Sequence, residues 1–274
     1  MGFGPPHSLS SINPRFLATA VEAVVRAGDI QISRFGSAMR IDKKGTIDLV
    51  TEVDVEVERM FRALIAERFA DHDVLAEEMG QPRAGASHRW VFDPLDGTTN
   101  YAHGIPIFCA TVALEVDGVP VVGAVYDPNR RELFTAERGV GAWLNGEPLA
   151  VSASETLSDS VLVTGFPYDI REAGRLEEIL GVFTGLLRRA RAVRRLGSAA
   201  IDLCWVAAGR MDAFWEQALQ PWDVMGGGLI VQEAGGRVTS LDGTPWDAMN
   251  GQVLASNGRI HDEILAEIAR HQRP

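Results

Sequence analysis

Apolar residues recur at helical spacing in two segments near the start of the chain. Asn13-Pro14 supplies an N-cap and a first-turn proline, and the apolar positions that follow predict a helix ending near Gly36. A second stripe at the same spacing runs from Val53 to Phe69. The polar run Asp42 to Thr46 between them has no periodicity and indicates a loop.

From Asp73 the pattern changes to short apolar runs bounded by turn residues, which is typical of strands. Asp117-Gly118 and Asn145-Gly146 are hairpin signals, so several of these strands should be antiparallel. The strands predicted here are 74–76, 90–92, 108–114, 119–126 and 133–136.

Beyond Ser152-Ala153-Ser154 strand-like and helix-like segments alternate, which indicates α/β layers. We therefore divide the chain into an α+β half, residues 1–150, and an α/β half, residues 151–274. The helices predicted in the second half are 172–189, 198–208, 222–234 and a last one from about residue 259, and the strands are near 161–163, 193, 211–215, 238–239 and 253–254.

Composition narrows the class of protein. The 274 residues are enough for a large core with a buried site. Cys109 and Cys204 lie in apolar runs, which indicates free thiols in a reduced, cytoplasmic protein. We expect no membrane segment, because no run approaches the roughly 18 apolar residues of a span, and no secretory signal at the N-terminus.

The charge of the chain indicates which kinds of partner the protein can bind. A net charge of -11 argues against a nucleic-acid surface, which needs a basic field. One basic cluster stands out, at Arg188-Arg189 and Arg191 with Arg194-Arg195. It is either a solvated helix end or a contact for an anion or another subunit.

The strongest candidate chemistry lies in the acidic turn that follows the buried strand 90–92. Asp93 comes at the carboxyl end of that strand, and a tight turn returns Asp96 to the same corner. Two such carboxylates repel each other unless a cation lies between them, and hard oxygen ligands favour Mg²⁺, Mn²⁺ or Ca²⁺ over Zn²⁺. Gly97 to Asn100 then predict a helical turn whose N–H groups would bind phosphate. An ordinary Asx turn with a Thr98 or Asn100 cap is the alternative.

Two familiar acidic motifs do not fit this spacing. An EF-hand counted from Asp93 would need Glu at position twelve, where Gly104 stands. Phosphatases that form an aspartyl-phosphate place one residue between their two acids, whereas Asp93 and Asp96 are separated by two.

Further acids occur at the ends of predicted elements, where each also has an ordinary structural role. Glu77-Glu78 closes the strand 74–76, Asp54 completes a Thr-x-x-Asp capping box, and Asp223 lies in the first turn of a helix. That helix contains Gly226-Gly227-Gly228, and glycines cost about 1 kcal/mol each relative to alanine in a helix. Something must therefore pack very close to them.

These motifs together resemble the inositol monophosphatase family over nearly the whole chain. The resemblance rests on four segments in order and extends to a fifth, bacterial-type segment. The four are Asp48 to Asp54, Glu77-Glu78, Trp90 to Asn100 and Trp222-Asp223 to Gly236, and the fifth is Thr164 to Asp169.

The resemblance implies an α/β fold, the five-layered αβαβα sandwich of the inositol monophosphatase and fructose bisphosphatase type, commonly as a homodimer. It implies two to three Mg²⁺ ions, with Mn²⁺ as a substitute, and inhibition by Li⁺ and excess Mg²⁺. Glu77, Asp93 and the Leu95 carbonyl would hold one ion, and Asp93, Asp96 and Asp223 a second. A weaker third ion would bind through waters near Glu77.

The resemblance also implies roles for the neighbouring residues. Thr98, hydrogen-bonded toward Asp54, would orient the attacking water, and the amides of Gly97 and Thr98 would bind phosphate. Asp96, Ala199 and Glu216 match positions that contact inositol hydroxyls. The expected reaction is hydrolysis of a phosphorylated polyol or sugar by a metal-activated water, without a covalent intermediate.

Several substrates remain open. The leading one is myo-inositol 1-phosphate, because a carboxylate at Glu216 suits a polyol better than a second phosphate. Relatives with the same acids act on fructose 1,6-bisphosphate, histidinol phosphate or 3'-phosphoadenosine 5'-phosphate, and a regulatory role through protein or RNA contact is a different class. Two residues depart from the family pattern: Ala76 stands for a glycine, and Met225 stands for a small residue. We expect Met225, two residues from Asp223, to alter either the shape of the pocket or its metal affinity.

Overall fold

The structure is a computed structural model that describes residues 13–37, 41–43, 49–79, 85–167, 170 and 175–271. Within the sequence motifs above, Asp48, Tyr168 and Asp169 lie outside the described residues. Seven α-helices and fourteen strands occur in the described part of the chain. The helices are α1 (Pro14–Arg34), α2 (Glu52–Arg68), α3 (Thr98–Ala102), α4 (Arg175–Leu187), α5 (Ala199–Ala207), α6 (Pro221–Glu233) and α7 (His261–Ala269). The strands are β1 (Ile41–Lys43), β2 (Leu49–Thr51), β3 (Asp73–Ala76), β4 (His88–Asp96), β5 (Cys109–Val116), β6 (Val119–Asp127), β7 (Glu132–Glu137), β8 (Gly141–Leu144), β9 (Glu147–Pro148), β10 (Val161–Thr164), β11 (Ala192–Arg194), β12 (Ala213–Gln217), β13 (Arg237–Thr239) and β14 (Gln252–Ser256).

The first half of the chain builds a seven-stranded sheet in the order β3-β4-β5-β6-β7-β8-β9. Only β3 and β4 pair in parallel, and the other neighbours are antiparallel. The two predicted hairpin turns are confirmed, with Asp117 at φ 52° and Asn145 at φ 51°. These left-handed conformations suit Asp and Asn in tight turns.

A second sheet of five strands has the order β11-β10-β12-β14-β13 and mixes parallel and antiparallel pairs. Helices α5 and α6 contact both sheets. Helices α1 and α2 cover the outer face of the larger sheet, and α4 and α7 that of the smaller one. The five layers therefore alternate α, β, α, β, α, which confirms the predicted sandwich.

Three apolar clusters fill the spaces between these layers. One lies between α1, α2 and the larger sheet, and includes Phe61 and Trp90. The largest is central and packs the apolar faces of α5 and α6 between the two sheets. Because α6 is buried between two sheets, its sequence is apolar on all sides, as a core helix requires.

The three consecutive glycines of α6 allow this helix to pack closely against its neighbours. A Cβ at Gly226 would lie 2.8 Å from Thr111 Oγ1 and 3.0 Å from the Val112 carbonyl oxygen. At Gly227 it would meet Leu203 at 2.7 Å, and at Gly228 the Trp246 ring at 2.3 Å. The expected close packing is confirmed, with the larger sheet, α5 and an aromatic ring as the neighbours.

The structure corrects three sequence predictions. Asp42 and Lys43, expected in a loop, lie in β1, which pairs with β2, while residues 44–46 lie outside the described part. Strands β8 and β9 were not predicted, because both are short and half-exposed or exposed. The basic cluster does not form one helix end, since α4 stops at Leu187 and Arg194 already belongs to β11. No helix of the described residues combines the length and apolar character that crossing a membrane requires.

We predict that Gly226→Val lowers the free energy of unfolding by about 1–3 kcal/mol, because the added side chain overlaps β5. Urea unfolding followed by circular dichroism measures the loss. Ala266→Val on the exposed face of α7 is the matched control and should change stability by about 0.5 kcal/mol or less. Equal effects of the two substitutions would show that Gly226 is not a close-packing position.

Candidate active site

A cavity of about 720 Å³ lies where β4, α3, α5, β12 and α6 meet. All but one of the predicted site residues line it: Glu77, Asp93, Leu95, Asp96, Gly97, Thr98, Ala199, Glu216 and Asp223. The exception is Asp54, which lies beneath the wall and is fully buried. Residues from both halves of the chain thus share one cavity.

The acidic turn is held in shape from three sides. Within the turn, the Leu95 amide donates to Asp93 Oδ1 at 2.8 Å. At the start of α5, the hydroxyl of the N-cap residue Ser198 and the Ala200 amide both donate to Asp96 Oδ2 at 2.7 Å. From α1, the Gln31 side-chain amide donates to the Pro94 carbonyl at 2.7 Å. The protein's own hydrogen bonds therefore fix the conformation of the turn.

Thr98 and Asp54 lie side by side, as the resemblance to the family implied. Asp54 Oδ2 accepts from the Thr51 amide at 2.8 Å and the Thr51 hydroxyl at 2.5 Å, so the capping box is present. The other oxygen, Oδ1, faces the Thr98 hydroxyl at 3.4 Å, and that hydroxyl also donates to the Leu95 carbonyl at 3.0 Å. Asp54 thus has a structural role at α2 and a second contact toward the cavity.

Glu77 and Glu78 follow β3 on a segment that α2 holds in place. The buried carboxylate of Glu58 accepts from the Glu78 amide at 2.7 Å and the Met79 amide at 2.9 Å. Arg62 donates to the same carboxylate at 2.7 Å. Carboxylate oxygens of Asp54, Glu77 and Glu78 lie within 4.8 Å of one another, which is close enough to share a cation.

Asp223 approaches from the opposite wall, in the first turn of α6. Its Oδ2 accepts from the Gln220 amide at 2.7 Å, which anchors the side chain at the helix N-terminus. Asp223 also lines the cavity. The close packing at Gly226 brings this turn of α6 against β5 and so toward Asp93.

Gly97 connects the acidic turn to α3 in a conformation that requires glycine. Its φ is 97°, and a Cβ there would lie 2.8 Å from the Ile107 carbonyl oxygen. The first N–H groups of a helix have no partner within it, so those at the start of α3 can bind an anion at the cavity wall.

The closely spaced acidic side chains determine the electrostatics of the cavity. Burial raises the pKa of Asp93 well above its usual range, and the charges of Glu77, Asp96 and Asp223 raise it further. Burial raises the pKa of Asp96 to about 6, although the hydrogen bonds from Ser198 and Ala200 oppose the shift. The pKa of Asp223 is also raised well above normal, by burial and then by Asp96. Such a set of hard oxygen donors fits a divalent cation such as Mg²⁺.

The far side of the cavity carries Glu216 on β12, with Ala199 and Arg195 near it. Burial raises the pKa of Glu216 to about 8, against the opposing charge of Arg195. Gly165 makes room for this side chain, since a Cβ there would lie 2.0 Å from Glu216 Oε2. Of the basic cluster, Arg195 therefore faces the cavity, whereas Arg189 pairs with Glu263 at 2.8 Å.

The two departures from the family pattern do not disturb the cavity. Ala76 is absent from the residues with positive φ, so its backbone does not need glycine. Met225 is buried in the central cluster and does not line the cavity, which corrects the expectation that it reshapes the pocket. The reason is helical geometry, because a residue two positions from Asp223 points about 200° away.

Sequence reasoning missed the residues that hold or complete the site from a distance. Gln31 and Glu58 are polar residues of predicted helices, and the sequence does not indicate that their hydrogen-bond partners lie 63 and 20 residues away. Asp202 did leave a signal, since it is a lone acid in the apolar run 199–208.

Comparisons with known proteins show to which family the chain belongs. The family model for the inositol monophosphatase family matches residues 13–273. The chain belongs to the inositol monophosphatase family. The inositol-1-monophosphatase of Synechocystis sp. is 44% identical over 93% of this chain and 88% of its own. The inositol monophosphatase structure from Anabaena (Nostoc) sp. has a TM-score of 0.85 at 40% identity, covering 94% and 96% of the two chains.

A third relative carries a different kind of name. The Nus factor SuhB of Pseudomonas aeruginosa is 39% identical over 94% of this chain and 97% of its own.

Membership of the inositol monophosphatase family makes this chain a phosphatase, a hydrolase of phosphoric monoesters, as the sequence predicted.

We predict that the metal-free protein becomes less stable as pH rises from 5 to 8. Asp93, Asp96 and Asp223 have raised pKa values in the folded state, so the fold binds more protons than the unfolded chain. This contribution is fully present below the unfolded pKa, near 4, and for Asp96 it is lost as pH rises through about 6.

Thermal unfolding in a chelator across this pH range measures the effect. Asp96→Asn, which cannot ionise, should flatten the slope. A Tm that rises steadily with pH in the wild type would contradict the electrostatic account.

Proposed function

We propose that this phosphatase hydrolyses myo-inositol 1-phosphate to myo-inositol and phosphate with two to three Mg²⁺ ions, and that Mn²⁺ can substitute. The observation that carries the proposal is the convergence of Glu77, Asp93, Asp96 and Asp223 on one cavity whose far wall carries Glu216. The near wall suits cations and phosphate, and the far wall suits hydroxyl groups.

The donor set divides into two ligand groups around Asp93. Glu77, Asp93 and the Leu95 carbonyl would hold one ion, since a carbonyl that accepts from Thr98 keeps a second lone pair. Asp93, Asp96 and Asp223 would hold the other, with Asp93 shared, and a third ion would bind near Glu77. When bound, the ions lower the pKa of a water and neutralise charge on the leaving oxygen.

The protein's own groups supply orientation and proton handling. The Thr98 hydroxyl lies between the Leu95 carbonyl and Asp54 Oδ1, where it would orient the attacking water. When its hydrogen turns from Leu95 to Asp54, Thr98 would give that proton to the carboxylate and take one from the water. The amides of Gly97 and Thr98 hold the phosphate, so that its leaving oxygen points to the far wall. Asp96, Ala199 and Glu216 then contact the alcohol.

A homodimer and a cytoplasmic location belong to the same proposal. Leu176, Leu180 and Leu187 are 39%, 42% and 47% exposed on one side of α4, where a second copy would cover them. Both cysteines are free and buried, which suits a reducing compartment.

A second candidate is a regulatory role through contact with protein or RNA. The name of the relative from Pseudomonas aeruginosa, a Nus factor, favours it. An Asp93→Asn variant that kept its effect in the cell while losing phosphatase activity would support this second role.

We predict that Asp93→Asn lowers phosphate release by about 10³-fold or more, because it removes the ligand shared by both ions. A colorimetric phosphate assay with Mg²⁺ measures release from myo-inositol 1-phosphate, fructose 1,6-bisphosphate, histidinol phosphate and 3'-phosphoadenosine 5'-phosphate. Asp71→Asn on the surface is the matched control. A wild-type protein that releases no phosphate from any of the four would refute the proposed function.

Glu58→Gln should raise the Mg²⁺ concentration needed for half-maximal activity by about 10-fold or more, with little change in kcat at saturation. The Glu58 carboxylate accepts hydrogen bonds from the backbone amides of Glu78 and Met79. Glutamine has only one acceptor oxygen, so its NH₂ group would face one of these amides and that hydrogen bond would be lost. The segment that carries Glu77 would then be held less firmly. Glu67→Gln, exposed on the same helix, is the control. A lowered kcat with unchanged Mg²⁺ dependence would contradict this positioning role.

A further inference from the structure

Gln31 is a polar residue in an apolar position. It lies near the end of α1, on the face that packs against the larger sheet, and Ala27 and Val24 precede it on that face by one and two helical turns. Its side chain is fully buried. Burying an amide is unfavourable unless its hydrogen bonds are made inside the protein. The partners of Gln31 therefore indicate what the residue does.

Those partners lie at a β-bulge in the acidic turn. Strand β4 pairs with β5 on both sides of the turn, at Asp93↔Thr111 and at Asp96↔Cys109. Two residues of β4 but only one of β5 lie between these pairs. The extra residue interrupts the ladder of backbone hydrogen bonds, and such bulges are common next to active sites. Pro94, one of the two β4 residues, has no N–H to give to a ladder.

The Gln31 side chain supplies hydrogen bonds to both strands at this bulge. Its Nε2 donates to the Pro94 carbonyl at 2.7 Å and to the Cys109 carbonyl at 3.2 Å. Because both neighbours are acceptors, the NH₂ group must face them. The amide oxygen has no hydrogen-bond partner in the described part of the chain, so the residue serves there as a donor. One side chain of α1 thus joins β4 to β5 where their own ladder is interrupted.

Two further contacts fix α1 at this point. The Tyr101 hydroxyl, on α3, donates to the Gln31 backbone carbonyl at 2.7 Å. On α1, Gly28 allows a close approach to the sheet, because a Cβ there would lie 2.4 Å from Tyr126 Cδ1. The position of the Gln31 amide is therefore tied to the packing of α1 on the sheet and on α3.

We propose that Gln31 is a positioning residue that sets the metal affinity of the site. It holds the bulge in the conformation in which Asp93, Leu95 and Asp96 all line one cavity. The inference rests on the proposed function, in which these residues bind Mg²⁺, and it adds a residue that contacts neither the ions nor the substrate. Mutating residues that orient metal ligands in this indirect way typically weakens metal binding about 10- to 100-fold.

The test compares Gln31→Met with the wild type by isothermal titration calorimetry with Mn²⁺, without substrate. Methionine is similar in length but donates no hydrogen bond, so both carbonyl groups lose their donor while the space stays filled. We expect the dissociation constant for Mn²⁺ to rise about 10-fold or more. With myo-inositol 1-phosphate, the Mg²⁺ concentration for half-maximal activity should rise similarly, and kcat at saturating Mg²⁺ should stay within about 3-fold.

Val24→Ala is the matched control, because it removes core packing from the same face of α1 two turns before Gln31. It should lower the Tm and leave the affinity for Mn²⁺ unchanged. Equal losses of affinity in the two variants would show only a general loosening of α1. Unchanged affinity in Gln31→Met would show that the amide does not act on the site. Either result overturns the inference.

A wild type that binds no Mn²⁺ would refute the proposed function itself, and the inference with it.

A second measurement uses the wild type alone, so it does not depend on a variant that folds. Side-chain NH₂ groups are followed by NMR during exchange into D₂O, with and without Mg²⁺. The Gln31 NH₂ resonances should be protected from exchange, because the group is buried and hydrogen-bonded, and they should shift when Mg²⁺ binds the turn. The exposed Gln252 is the control. Gln31 resonances that exchange as fast as those of Gln252 and do not shift with Mg²⁺ would overturn the inference.

Discussion

Mutual repulsion among buried carboxylates is the constraint on which the rest of the structure depends. Glu77, Asp93, Asp96 and Asp223 share one cavity, and burial and neighbouring negative charge raise the pKa values of the three aspartates. The fold stabilises this arrangement with hydrogen bonds from elsewhere, such as those that Ser198 and Ala200 donate to Asp96. A divalent cation bound among the four acids would offset the remaining negative charge.

The layered architecture follows from the need to bring these acids together from distant parts of the chain. Asp93 and Asp96 come from the larger sheet, whereas Asp223 comes from α6, a helix buried between the two sheets. Three glycines let that helix approach the sheet and its neighbours more closely than any other residue would allow. The site lies at the boundary between the halves of the chain, so the sandwich and the cavity depend on the same packing.

The sequence alone predicted those parts of the site whose conformation is determined by neighbouring residues in the chain. The capping box at Asp54, the turn at Asp93 and the glycine triplet each have a physical cause within a few residues. Contacts across the fold were not accessible in this way. Gln31 reaches the acidic turn from 63 residues away, and whether Met225 faced the cavity depended on which side of α6 carries Asp223. Short, half-exposed strands such as β8 also lacked the alternation that reveals a strand.

The central claim, that Asp93 is shared by two cations, is tested most directly by anomalous diffraction from crystals grown with Mn²⁺. The account predicts two anomalous peaks about 3.5–4 Å apart, both in contact with the Asp93 carboxylate. Glu77 and the Leu95 carbonyl should border one peak, and Asp96 and Asp223 the other. Ions bound only at Asp54, Glu77 and Glu78, or no ion at Asp93, would contradict it.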